Sequence, residues 1–146
     1  MPELPHADSK QPARRASWRS MDAVARGDKA AWLENFADDA IVQDPVGKSM
    51  IDPTGEGHRG WAAIEKFWDD NIENARPMFS LQSSICSGDE CANVGTLTLQ
   101  FPNGVATQLY GVFIYRVDDA GKVLSLRTYW EPDAMQVFPP LSDRGA

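Results

Sequence analysis

The second half of the chain consists of β-strand patterns joined by short turns, and this order restricts the fold more than any other feature. Segments with alternating apolar residues are separated by turn sequences such as Pro102-Asn103-Gly104 and Asp118-Asp119-Ala120-Gly121. Strands that follow one another through short turns pair antiparallel, so the pattern predicts a meander. The predicted strands cover residues 78–87, 90–101, 105–117 and 122–130.

The first half of the chain carries helical patterns. Apolar residues at three-to-four spacing predict helices over 13–26, from an Asp28 N-cap to about 37, and from 61 to about 74. Residues 40–44 are predicted as a strand and 45–60 as a long loop. Helices followed by strands favour an α+β fold, a curved antiparallel sheet wrapped over about three helices with an apolar pocket between them. We expect one domain over 13–138, with loose tails at 1–12 and 139–146.

Charge and length exclude several classes of function. The 146 residues carry a net charge of −7, and an acidic surface repels nucleic acid, while no basic amphipathic stripe suits a membrane. No signal-peptide core or long apolar run is found, which predicts a cytoplasmic location. The two histidines and two cysteines lack metal-ligand spacing, so we expect no metal and no other cofactor.

Cys86 and Cys91 flank a predicted hairpin turn and should lie nearly opposite each other. A cross-strand disulfide is one interpretation. Two free thiols are the interpretation that a cytosolic protein favours.

Asp44 has the most unusual position in the sequence. Side chains alternate along a strand, so Ala40, Val42 and Asp44 share one face. A carboxylate after two core-facing apolar residues must be paired, reach solvent at the strand end, or lie in an apolar pocket with a raised pKa. The last arrangement suits a general base. An Asp before Pro45 is also typical of a turn, so both interpretations remain.

The same alternation predicts which side chains face the pocket. As a set, with one carboxylate among them, they suit a flat, apolar, ring-containing ligand, although plain core packing is the alternative for each one. The predicted lining is Val24, Val42, Phe67, Trp68, Leu97, Leu99, Gly111, Phe113, Leu126, Thr128 and Trp130.

Three stretches resemble the ketosteroid isomerases, which belong to the nuclear-transport-factor-like or polyketide-cyclase-like superfamily. Residues 36–47, ending in Asp44-Pro45-Val46-Gly47, resemble the signature stretch of these enzymes; residues 60–68 resemble their third helix, and Tyr129-Trp130 resembles their last strand. The resemblance covers about residues 15–135. It implies a cone-shaped fold with a deep apolar pocket, a steroid-like ligand, and a homodimer formed through the outer face of the sheet.

The resemblance also implies roles for single residues. Asp44 matches the base that moves a proton between two carbons of a 3-keto steroid, and in these enzymes a tyrosine and a protonated aspartate stabilise the oxyanion. Counted along this chain, the positions of those two donors hold Ser20 and Phe113. Ser20, directly or through a water, and Tyr115, which shares the strand parity of Phe113, are the candidates to replace them.

Two charged residues outside this set have competing interpretations. His58 could gate the pocket mouth, but a histidine in a glycine-rich loop is more often solvated. Arg127 could serve a water-activating Asp–Arg–Asp device like that of the epoxide hydrolases in the superfamily. Its parity opposes that of Trp130, which favours an ion pair on the outer face.

Three functions therefore fit the sequence: an isomerase-type enzyme with Asp44 as base, a binding protein for steroid-like ligands, and a dimerising interaction module. A buried charge is costly, which argues against the module. Ser20 and Phe113 favour binding, and the intact Asp44 stretch favours catalysis. The sequence predicts a ketosteroid-isomerase-like enzyme of weak or altered activity.

Overall fold

A computed structural model describes residues 4–141, which form three α-helices and a curved sheet of seven strands. The helices are α1 (Pro12–Arg26), α2 (Lys29–Glu34) and α3 (Trp61–Asn71). The strands are β1 (Phe36–Gln43), β2 (His58–Arg59), β3 (Arg76–Ser87), β4 (Glu90–Gln100), β5 (Ala106–Val117), β6 (Val123–Tyr129) and β7 (Gln136–Phe138). The predicted α+β class is confirmed. Within residues 4–141 no helix is long and apolar enough to cross a membrane.

The sheet is mixed, which corrects the prediction that it is wholly antiparallel. Its order is β2-β1-β6-β5-β4-β3, with β7 beside the start of β5. The meander from β3 to β6 is antiparallel as predicted, but β1 pairs with β6 in parallel, Val42 opposite Leu126. The antiparallel inference rested on short turns, and no short turn joins β1 to β6, because α3 and the meander lie between them in the chain.

The second helix is shorter than predicted. Asp28 caps it as expected by accepting a hydrogen bond from the Ala31 N–H, but α2 ends at Glu34, and Phe36 starts β1. The side-chain amide of Asn35 donates to the Ala16 carbonyl at 2.9 Å. The ring of Phe36 packs edge-on against that of Trp32, with the ring centroids 4.8 Å apart. These tertiary contacts outweigh the helical periodicity that continued through residue 37.

The predicted tail at residues 1–12 is not loose throughout. Ser9 is buried at 1% exposure, its carbonyl accepts a hydrogen bond from Arg15 at 2.7 Å, and α1 begins at Pro12. The predicted tail at 139–146 lies outside the described residues from 142 onward. The short strands β2 and β7 had no sequence signal, since both are edge strands of two or three residues.

A buried polar network attaches α1 to the concave face of the sheet. The Arg14 guanidinium donates to both the hydroxyl and the carbonyl of Ser84 at 3.1 Å. Ser84 donates to Asn93 at 2.8 Å, and Asn93 donates to Ser17 at 3.1 Å. Buried polar groups need such partners, so this network determines where α1 lies on the sheet.

The two faces of the sheet differ in what covers them. The hydrophobic core lies between the concave face of the sheet and the helices. The convex face is left open along β3, β4 and β5, where Met78, Ile85 and Tyr110 are each more than half exposed. The Tyr110 hydroxyl donates to Gln82 at 3.3 Å across β4, so the polar ends of these side chains interact on the outside of the sheet.

Candidate active site

The strand register places those predicted lining residues that belong to strands on the concave face of the sheet. Leu97 is opposite Leu109, Gly95 opposite Gly111, and Thr128 opposite Phe113, so these residues share one face of the sheet. Near α1 these side chains are fully buried. Beyond α1, four apolar side chains of the same face are only half-buried: Phe79, Leu97, Leu99 and Trp130. The open end of the concave face therefore presents a partly exposed apolar surface, which we call the recess.

Asp44 lies at the edge of this recess, directly after the last residue of β1. Its neighbours on the same face, Ala40 and Val42, are completely buried, as the alternation predicts. The Thr128 hydroxyl and the Trp130 indole N–H both donate to Oδ1 of Asp44, the latter at 2.8 Å. Thr128 lies near the end of β6 and Trp130 directly follows that strand, so the pairing of β6 with β1 places both donors beside the carboxylate.

The two oxygens of Asp44 have different surroundings. Oδ1 takes both hydrogen bonds, and no group among the described residues donates to Oδ2. Burial raises the pKa of Asp44, and the two donors and the nearby His58 only partly offset this rise. A carboxylate held through one oxygen, with the other available and a raised proton affinity, has the properties of a general base.

Ser20 and Tyr115 form a hydrogen-bonded pair beneath the recess. The Tyr115 hydroxyl donates to Ser20 Oγ at 2.9 Å, and the Trp32 indole donates to the same oxygen at 3.2 Å. Burial raises the pKa of Tyr115, and the charge of Asp44 adds to this rise, so the tyrosine remains a neutral phenol and a donor. With both donors directed at its oxygen, Ser20 keeps its own O–H for a further acceptor.

The large aromatic residues of the predicted lining belong mainly to the core. Phe67 and Trp68 are 3% and 1% exposed and both pack against Trp32, and the Trp68 indole donates to Glu73 at 2.5 Å. The rings of Phe113 and Phe79 pack edge to face, with their centroids 5.9 Å apart. These contacts form the floor of the recess, and they place an apolar ring at the position where the resemblance implied an acid. Val24 is half-buried and packs against the same core.

His58 is half-buried, which corrects the favoured interpretation of a solvated loop histidine. It lies in β2 opposite Val42, its ring packs against Phe67 with centroids 5.0 Å apart, and its Nε2 is buried. The loop sequence carried no signal of this, because the burial results from the pairing of β2 with β1. Arg127 lies on the outer face as predicted, but its partner is the amide of Gln43 at 3.0 Å instead of a carboxylate.

The two cysteines lie on neighbouring strands, β3 and β4. Cys86 and Cys91 are directly opposite each other, and both are free thiols. Burial, together with the neighbouring Cys91, raises the pKa of Cys86 to about 12, which keeps it an unreactive thiol. Among residues 4–141 no three histidine, cysteine or acidic side chains are grouped as metal ligands.

A second depression lies on the outside of the molecule, away from Asp44. This groove of about 500 Å³ runs between α1, α2 and the turn after β5, where Trp18, Arg19 and Lys122 line it. Lys122 already donates to the Glu34 carbonyl at 2.5 Å, and Arg19 to Asn35 at 2.8 Å. The charged groups of the groove therefore serve to join the elements, and none of the predicted site residues lines it.

Most of this chain matches a known family of protein domains. The model of the SnoaL-like domain family matches residues 19–126, which include α2, α3 and all the strands up to the middle of β6. This chain belongs to the SnoaL-like domain family. The matched region of this SnoaL-like domain contains Ser20, Asp44 and Phe113, the residues on which the functional question depends.

Named relatives of this SnoaL-like domain include steroid isomerases. The steroid Δ-isomerase of Nocardioides simplex is 29% identical over 124 residues, 83% of this chain and 91% of that protein. The structure of a Δ5-3-ketosteroid isomerase from a Mycobacterium species has a TM-score of 0.84 at 41% identity, covering 88% of this chain and 99% of that one. A Mycobacterium tuberculosis protein solved with estradiol-17beta-hemisuccinate has a TM-score of 0.83 at 36% identity, covering 87% and 99%.

Proposed function

We propose that this protein is a ketosteroid-isomerase-like enzyme in which Asp44 transfers a proton between two carbons of a 3-keto steroid or a similar polycyclic ketone. The observation that supports this most strongly is the environment of the Asp44 carboxylate. One oxygen accepts hydrogen bonds from Thr128 and Trp130, the other has no donor among residues 4–141, and burial raises the pKa of the carboxyl. The similarity to steroid isomerases supports the same reaction class.

In the proposed reaction, Asp44 Oδ2 removes a proton from the carbon between the ketone and the double bond. The electron pair of the broken C–H bond enters the ring system and gives a dienolate with its charge on the ketone oxygen. The protonated Asp44 then returns the same proton to the far end of the double bond, which brings the double bond into conjugation. No co-reactant is needed, because atoms and electrons balance within the substrate.

The oxyanion of this dienolate needs a donor, and the Ser20–Tyr115 pair is the proposed source. Ser20 Oγ accepts hydrogen bonds from Tyr115 and Trp32, which polarises its own O–H toward a further acceptor. A single neutral hydroxyl is a weaker stabiliser than two acidic donors, and loss of one oxyanion donor typically lowers the rate by about 10²–10³. We therefore propose slow turnover.

The decisive test follows the absorbance of the conjugated enone formed from a 5-ene-3-ketosteroid, with wild-type protein and Asp44→Asn in parallel. We expect wild-type turnover to rise with pH through a pKa above the ordinary carboxyl range, because only the ionised Asp44 accepts a proton. Asp44→Asn should be inactive and Asp39→Asn, on the exposed part of β1, fully active. Equal rates for wild type and Asp44→Asn would refute the proposal.

A second candidate function, binding of a steroid-like ligand without turnover, is favoured by Phe113. Its buried ring makes the recess more apolar at the position of the second oxyanion donor, which aids binding and not proton transfer. The related protein solved with estradiol-17beta-hemisuccinate supports the same ligand class. Tight steroid binding with no enone formation would select this candidate.

We further propose a homodimer that associates through the convex face, where Met78, Ile85 and Tyr110 are exposed.

Four other points stay predictions from the sequence. They are a cytoplasmic location, the absence of nucleic-acid and membrane partners, the absence of a cofactor, and the domain bounds at 13 and 138.

A further inference from the structure

His58 is a polar residue near Asp44 that the proposed reaction does not use. In β2 it lies opposite Val42 of β1, and residues paired in this way have their side chains on the same face of a sheet. Val42 is completely buried on the concave face, and Asp44 is two residues further along that face. His58 therefore points to the same side of the sheet as the proposed base.

The loop before β2 holds His58 in this position. The Gly57 N–H donates to Oδ2 of Asp52 at 2.9 Å, and Asp52 is 5% exposed. Gly57 lies so close to Ile41 and Gln43 that an added Cβ would be within 3.0 Å of both side chains. After the strand, the Gly60 N–H donates to the Ala40 carbonyl at 2.8 Å. Contacts on both sides thus attach the segment to β1.

One nitrogen of the His58 imidazole is buried without a hydrogen-bond partner among the described residues. Its ring packs against Phe67 of α3, and its Nε2 is buried without a hydrogen bond to any described residue. Only one other buried side-chain polar atom in residues 4–141 has the same status, the hydroxyl of Ser49 in the preceding loop. A buried nitrogen that has lost its water is unfavourable unless another group replaces that water. His58 is near enough to Asp44 to lower the pKa of that carboxyl, against the larger rise caused by burial.

We propose that His58 Nε2 hydrogen-bonds an oxygen substituent of the bound ring-containing ligand, and so selects ligands that carry a ketone or hydroxyl at that point. The inference extends the proposed function, because it assumes that the recess beside Asp44 binds the ligand. The apolar side chains of the recess recognise the ring system without regard to its substituents. His58 adds the discrimination between an oxygenated ligand and its deoxy analogue, since the analogue leaves Nε2 unpaired.

The test measures dissociation constants by quenching of tryptophan fluorescence with three probes: a 4-ene steroid diketone and the two monoketones that each lack one of its oxygens. Wild type is compared with His58→Leu, which removes the nitrogen, and His58→Gln, which keeps an N–H at the end of the side chain. We expect His58→Leu to raise the dissociation constants of the diketone and of one monoketone about tenfold, as loss of one buried hydrogen bond would do. The dissociation constant of the other monoketone should not change. His58→Gln should restore most of the affinity.

Melting temperatures separate ligand recognition from a structural role. Because Nε2 has no hydrogen-bond partner in the described part of the chain, His58→Leu should melt at or above the wild-type temperature. A lower melting temperature with equal weakening of all three probes would overturn the proposal, as would unchanged binding of all three. Wild-type protein that binds none of the probes would overturn both this proposal and the proposed function. The expected binding pattern without enone formation would support His58 and refute only the isomerase.

Discussion

At Asp44, the burial that suits a base also lowers the stability of the fold. Burial raises the pKa of this carboxyl, so the folded protein holds the proton more tightly than the unfolded chain does. Stability is therefore lost as the pH rises from the ordinary carboxyl range through the raised pKa, and the loss is complete above it. We expect Asp44→Asn to melt at or above the wild-type temperature at neutral pH, with the difference shrinking toward pH 3.

Calorimetry of wild type, Asp44→Asn and the exposed control Asp39→Asn across this pH range checks the prediction. The control should follow the wild type at every pH, because its side chain is exposed. If Asp44→Asn instead melts several degrees lower at neutral pH, the ionised carboxylate stabilises the loop at Pro45, and the turn interpretation of this residue is correct.

Phe113 places an apolar ring at the position where the resemblance implies an oxyanion donor. An acid introduced at this buried position would be kept protonated by its apolar surroundings and could donate to the oxyanion. We expect Phe113→Asp to raise enone formation by about tenfold or more, since one oxyanion donor is worth about 10²–10³ in rate and the new side chain also costs stability. Phe113→Leu, which stays apolar, should show no gain. A folded Phe113→Asp variant with unchanged rate would contradict the assignment of this position.

At the scale of elements, the contact between β2 and β1 depends on Gly57. Its φ of 87° favours glycine, and a Cβ there would be 2.8 Å from Gln43 and 2.9 Å from Ile41. We expect Gly57→Ala to lower the free energy of unfolding by about 1–3 kcal/mol, measured by denaturant titration. Gly88→Ala in the β3–β4 turn is the matched control, because its φ is also positive but its Cβ would meet nothing within 4 Å. An equal loss in both variants would show that only the backbone angle matters.

At the scale of the whole molecule, the exposed side chains of the convex face predict self-association. Tyr110, at 59% exposure, is near the middle of this face, and a lysine there would place two like charges against each other in a symmetric dimer. We expect sedimentation equilibrium to show a dimer for wild type and at least tenfold weaker association for Tyr110→Lys. Met50→Lys, in an exposed loop, should remain dimeric. A monomeric wild type would refute the association.

What could be predicted from the sequence follows from local rules. The alternation of side chains placed Ala40, Val42 and Asp44 on one face, and the turn residues gave the meander from β3 to β6 with almost correct ends. Both patterns depend only on neighbours in the chain. The predicted helix over 61–74 ended three residues late, because Pro77 limits a helix without determining where its last turn forms.

Contacts between distant residues decided the rest. The parallel pairing of β1 with β6 brings Thr128 and Trp130 to Asp44, and the pairing of β2 with β1 places His58 opposite Val42. Asn35 and Phe36 end α2 early through contacts with Ala16 and Trp32. The sequence alone determined the fold class, the meander and the face on which Asp44 lies, because these depend on local periodicity. Only the tertiary structure decided the hydrogen bonds and burial around Asp44, because these depend on residues more than 80 positions away.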